Sequence, residues 1–159
     1  MNEPALIKVS FSFYPQDMAV LTDRVASLSA AGLKVREATL LRALIHGISP
    51  PEMFAHAVLL AAANARKPGP REETYVAGRP TVDLPTDHVK KLDNVADELA
   101  QKEVFLANRA FVVRAILRAS PSGKELAPLV REFLEAYPYK PRGVSKLRLE
   151  RKASSGGPS

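Results

Sequence analysis

The chain contains no cysteine and no tryptophan. Without cysteine there is no disulfide framework, no thiolate nucleophile and no cysteine-based metal site. Histidine is also scarce: His46, His56 and His88 are the full set. They fall on three separate stretches, with no metal-ligand spacing and no paired carboxylate, so each reads as an exposed or helix-end residue. There is no P-loop, no Gly-rich dinucleotide fingerprint and no nucleophile elbow. Ser120 and Ser122 fit helix caps better than nucleophiles. The expectation is a protein that is not an enzyme and uses neither metal nor cofactor. No apolar run approaches the length of a membrane span. The start, MNEPALIKV, lacks the basic-then-apolar layout of a secretory signal. Both observations point to the cytoplasm and away from membranes.

What the chain does hold is enough for one compact domain: 159 residues, 46% of them hydrophobic. The formal charge is +6 and the pI about 9.7, which permits a polyanionic partner without identifying one. The charge is unevenly spread. Residues 1–48 sum to +1, residues 49–78 to 0 and residues 79–119 to +1, whereas residues 120–159 carry +4. Any nucleic-acid surface before the tail must therefore be local.

Residues 7–45 organise the rest. Val9, Phe11 and Phe13 alternate with Lys8, Ser10 and Ser12, the period of a strand with one buried and one open face. Tyr14-Pro15-Gln16-Asp17 ends the strand and opens a helix, with Pro suited to the first turn. Met18, Leu21, Val25 and Leu28 form one apolar stripe along that helix. Ala30-Ala31-Gly32 breaks it, and a second helix from about Val35 buries Leu40, Leu41, Leu44 and Ile45. A lone strand cannot satisfy its own backbone groups, so this unit needs a partner strand.

A shift of 71 positions supplies one. Thr81-Val82-Asp83-Leu84 repeats the alternation, and Pro85-Thr86-Asp87 repeats the turn into a helix. Val89, Leu92, Ala96 and Leu99 correspond to Met18, Leu21, Val25 and Leu28. Phe111, Val112, Ala115 and Ile116 correspond to Leu40, Leu41, Leu44 and Ile45, and Ser49-Pro50 maps onto Ser120-Pro121. The chain reads as a duplicated strand–helix–helix unit. Each copy is followed by a third helix with a capping-box start, Ser49-Pro50-Pro51-Glu52 and Ser122-Gly123-Lys124-Glu125. The expected organisation is one domain over residues 1–137, built of repeats at 7–66 and 79–137 with a Pro- and Gly-rich linker at 67–78. Residues 138–159 form a tail, basic at first and then of disordered composition.

The KVSFSF strand, the turn into MAVLTDRVASL and the run REATLLRALI, with ANRAFVVRAIL in the second copy, resemble the ribbon-helix-helix family of DNA-binding proteins. The resemblance covers roughly residues 7–47 and 79–119. It implies a mainly α fold with one short two-stranded antiparallel β-ribbon. The strands would lie at about 7–13 and 79–84, and the helices at 16–31, 35–47, 51–66, 87–101, 107–119 and 124–137. Family members are usually homodimers whose paired strands enter the DNA major groove; here two copies in one chain would pair as an intramolecular pseudo-dimer. By architecture alone, a tandem chain of this kind is similar to plasmid and conjugation accessory factors, such as the one that enhances T-DNA transfer.

Carried over residue by residue, the resemblance makes Lys8, Ser10, Ser12, Arg79, Thr81 and Asp83 the outward strand positions that meet base edges. It makes Lys34, Arg36, Asn108 and Arg109, at the starts of the second helices, the phosphate contacts. Lys140, Arg142, Lys146 and Arg148 of the tail would add more. The implied partner is double-stranded DNA, the implied location the cytoplasmic nucleoid, and the resemblance also implies further association of pseudo-dimers on DNA. Three features depart from the pattern. Pro80 and Pro85 remove donors from the second strand. Asp83 points a carboxylate at the expected DNA. Asn108 can cap its helix, whereas Lys34 and Val35 cannot. These biases place the DNA contacts mainly on the first copy. They also sustain a competing expectation, an antitoxin-like or scaffold module that binds a protein and has lost DNA binding.

Overall fold

The computed structural model describes residues 5–48, 50–66, 75–102 and 107–137. A strand and three helices are followed by a second strand and three more helices. They are β1 (Leu6–Ser10), α1 (Pro15–Ala30), α2 (Glu37–His46), α3 (Pro50–Arg66), β2 (Thr81–Pro85), α4 (Thr86–Gln101), α5 (Arg109–Ala119) and α6 (Gly123–Ala136). The two strands pair antiparallel as a two-stranded ribbon, with Ser10 opposite Thr81, Val9 opposite Val82 and Lys8 opposite Asp83. The same register reaches Phe13 and Gly78, which form a further bridge.

The ribbon is thus as long as the alternation predicts, but interrupted. Phe13 N–H donates to Gly78 O at 2.9 Å and Thr86 N–H to Ala5 O at 3.2 Å, so odd-numbered residues of the first strand occupy the hydrogen-bonded pairs. Pro80 faces Phe11 at such a pair. It accepts from Phe11 N–H at 3.0 Å but has no proton to return, and the regular ladder stops there. Pro85 faces Leu6 at a non-hydrogen-bonded pair, where its missing N–H costs nothing. Of the two prolines, only Pro80 disturbs the ribbon.

Alternation decides which face is covered. Val9, Phe11, Phe13, Val82 and Leu84 are buried, and the Phe11 and Phe13 rings lie stacked with centroids 6.3 Å apart. The helices close over them. Leu21, Leu28, Leu40, Leu41, Ile45, Leu92, Leu99, Leu117 and Leu126 are fully buried in one continuous core drawn from both halves of the chain. Each such side chain contributes about 1.5–3 kcal/mol by leaving water.

The helix α1 ends as its sequence predicts. Gly32 takes φ of +93°, while Leu33 N–H reaches Leu28 O at 2.9 Å and Gly32 N–H reaches Ser29 O at 3.0 Å, the paired bonds of a Schellman cap. Asn108 caps α5, its side chain accepting from Phe111 N–H at 2.8 Å. Ser122 precedes α6 but makes no side-chain cap bond. Ser120 ends α5, with its hydroxyl donating to Leu117 O at 2.6 Å. The predicted box at Ser49 lies outside the described residues.

A single ungapped shift does not relate the two halves throughout. The starts of α1 and α4 are 71 positions apart, those of α2 and α5 are 72, and those of α3 and α6 are 73. The slip has a visible marker: Arg42 and Arg114, 72 apart, are both buried arginines in the middle of their helices.

Candidate nucleic-acid interface

The polar half of the ribbon alternation forms one open face with three cross-strand rungs. Lys8 stands opposite Asp83 and Ser10 opposite Thr81; by the same register Ser12 stands opposite Arg79. Two rungs are closed by side chains. Ser10 Oγ and Thr81 Oγ1 lie 2.7 Å apart, and Arg79 Nη1 donates to Ser12 Oγ at 2.9 Å. These are non-hydrogen-bonded backbone pairs, where facing side chains come closest. All six residues read from the sequence as base contacts are therefore neighbours. Their donors and acceptors are partly spent on one another, which presents them as a pre-set row.

The start of α5 borders the same surface. An open groove of about 490 Å³ lies between Ser10 and Ser12 on one side and Asn108, Arg109 and Ala110 on the other, with Asp93 and Asp97 of α4 in its wall. Arg109 does not stand alone there. Its Nε donates to Asp93 Oδ1 at 2.7 Å and its Nη2 to Asp93 Oδ2 at 3.0 Å. The Arg109 hydrogen bonds hold the Asp93 carboxyl below its ordinary range, against the opposing effect of burial. The pair is a bidentate fork with two favoured, ionised partners. Asp93 and Asp97 had no signal in the sequence, since the Asp93–Arg109 contact joins two different helices.

The corresponding start of α2 is different. Arg36 is its N-cap residue, and Lys34 and Arg36 are both exposed. Among the described residues neither forms a salt bridge. The basic tail residues Lys140, Arg142, Lys146 and Arg148 lie outside the described residues.

Behind the ribbon lie three clusters, the last of which corrects an expectation. Arg42, buried in α2, donates from Nε to the backbone carbonyl of Asp83 at 2.9 Å, tying β2 to the helix behind it. On the other side Asp17, fully buried, accepts from Arg114 Nε at 2.7 Å, from Arg118 Nε at 2.6 Å and from Tyr14 N–H at 2.9 Å. His88 is neither exposed nor solitary. It is buried, and its Nε2 lies 3.4 Å from His46 Nδ1. The Phe133 ring packs on His46, and the Tyr137 ring packs on both histidines. Burial pushes the His88 pKa down; Asp87 opposes this, and His46 and Lys91 add to it. Lys91 Nζ meanwhile donates to the His46 carbonyl at 2.7 Å, closing the C-terminal end of α2.

Compared with family models, curated proteins and solved structures, the chain matches none. Among the described residues no helix is long and apolar enough to cross a membrane, and no group of three metal-ligating side chains converges.

Proposed function

We propose that this chain is a non-enzymatic, sequence-specific binder of double-stranded DNA, a tandem ribbon-helix-helix protein whose two repeats act as an intramolecular pseudo-dimer. The observation that carries this reading is the polar ribbon face: three rungs of short and long polar side chains, exposed at Lys8, Ser10, Arg79 and Thr81 and half-buried at Ser12 and Asp83, with a helix start beside them. A two-stranded ribbon of this width fits the major groove, where hydroxyl, ammonium and guanidinium groups meet base edges. Backbone N–H groups at the starts of α2 and α5 would then grip flanking phosphates.

The register supports the pseudo-dimer. Ser10 faces Thr81, its counterpart under the 71-residue shift. Lys8 faces Asp83, the counterpart of Ser12, while Ser12 contacts Arg79, the counterpart of Lys8. An antiparallel pairing of this kind is compatible with a two-fold relation between the repeats.

The two ends of the face are unlike in charge. At α2 Lys34 and Arg36 are available to phosphate, whereas at α5 Arg109 is held by Asp93 with Asp97 nearby. DNA contact is accordingly weighted to the first repeat. The role is that of a transcriptional regulator or of a plasmid or conjugation accessory factor in the nucleoid.

The carboxylates of Asp83, Asp93 and Asp97 favour a second reading, an antitoxin-like or scaffold module that binds a protein. Binding to a labelled random-sequence duplex pool, titrated in salt from about 50 to about 200 mM, separates the two. Submicromolar binding that Lys8→Ala/Ser10→Ala abolishes, followed by enrichment of a preferred site, is the expected result. No binding at low salt, or binding lost only when the chain is truncated after Tyr137, overturns it.

A further inference from the structure

The helix α3 is the least charged helix of the chain. From Met53 to Ala65 its sequence contains no acid, no lysine and no arginine, and His56 is its sole titratable side chain. Such a helix belongs in an interior on all sides. Met53, Ala57 and Leu60 do face the core. The opposite face does not: Ala55, Val58, Leu59 and Ala62 are exposed, Val58 by 43% and Leu59 by 67%. Their spacing of three, four and seven makes one straight stripe along the helix.

Three properties of the stripe say what covers it. It is uncharged, so the basic segment at 138–159, with Lys140, Arg142, Lys146, Arg148, Arg151 and Lys152, does not complement it. It is also palindromic in size about its centre, with small residues at both ends and larger ones in the middle. In an antiparallel pair of such helices, Ala55 meets Ala62 of the other copy and Val58 meets its Leu59. Small residues at the ends let the axes approach while the central side chains interdigitate. Finally, antiparallel pairing sets the N-terminal end of each helix dipole beside the C-terminal end of the other.

We infer that the outer face of α3 is a self-association surface, on which a second copy of this chain docks through its own α3 in antiparallel, two-fold fashion. One helix pair buries less than the roughly 1,200–2,000 Å² of stable complexes, so the dimer is weak and concentration-dependent.

Sedimentation equilibrium of the DNA-free protein from about 10 µM to about 1 mM tests this. The wild type is expected to pass from monomer to dimer with no larger species, while Leu59→Glu stays monomeric with an unchanged circular dichroism spectrum and melting temperature. A wild type that is monomeric throughout, or a Leu59→Glu variant that dimerises equally, overturns the inference. The absence of native cysteine allows a second readout that does not depend on the glutamate variant folding. Under mild oxidation, a mixture of Ala55→Cys and Ala62→Cys should form covalent dimers faster than either variant alone. Equal rates in the mixture and the separate samples, or no covalent dimer, reject the antiparallel register.

Discussion

Asp17 and Arg114 are separated by ninety-seven positions in the chain and by 2.7 Å in the fold. The carboxylate sits in the first turn of α1 and the guanidinium in the middle of α5, so their bond fastens the helix after the first strand to a helix of the second half. The Arg114 guanidinium also lies 4.2 Å from the centroid of the Tyr14 ring, at the corner where β1 turns into α1. The contact therefore holds the ribbon to its supporting helices.

Removing the acid strands a buried cation. Asp17→Asn is expected to destabilise the protein by about 3–5 kcal/mol, the cost of breaking one side of a buried pair. Urea denaturation followed by circular dichroism would measure it; a loss under about 1 kcal/mol would mean that the arginines find water or other partners instead.

Stability should fall on the acid side of neutrality, for a reason that can be located. Burial, His46 and Lys91 hold the folded-state pKa of His88 below its ordinary value of 6.5. As pH drops through that value the unfolded chain binds the proton first, and stability declines until the depressed folded-state value is passed. His56 is shifted the same way by burial and Arg118. His88→Gln should flatten, without abolishing, the decline in melting temperature below pH 6.5. An unchanged pH profile would dissociate His88 from it.

On the proposed DNA-binding reading, charge at the two helix starts should act in opposite directions. Arg36→Ala is expected to weaken binding evenly across sequences and to reduce the salt slope by about 1, as for one lost phosphate contact. Asp93→Asn should free Arg109 and tighten binding. Fluorescence anisotropy at two salt concentrations reads both, and weaker binding by Asp93→Asn would show that the fork itself is required.

Close packing at one glycine makes a further test. A Cβ at Gly123 would collide with the backbone of Ser27 and Leu28 in α1, where no flexible side chain is available to yield. Gly123→Ala should cost about 1–3 kcal/mol through forced separation of α1 and α6. Gly32→Ala meets open space but a φ of +93°, so its cost is backbone strain alone. Thermal melts of the two variants compare the mechanisms directly.

Much of this was legible in local patterning. Alternation at Val9, Phe11 and Phe13 and the three-four spacing from Met18 to Leu28 are properties of the backbone period, which each segment expresses by itself. Gly32 and Asn108 act within one turn, and their roles could be read from a few neighbouring residues. The alternation at Val82 and Leu84 pointed to a second strand, and the outward polar residues followed from the same period. What stayed hidden depends on helix faces meeting across the fold. The Asp17 clamp, the Arg109–Asp93 fork and the His46–His88 contact join residues 16 to 101 positions apart. Side-chain charge and size at those sites carry no local periodicity. Only the packing angle of one helix on another decides whether an arginine finds a carboxylate, a histidine is drawn out of water, or an apolar face is left uncovered.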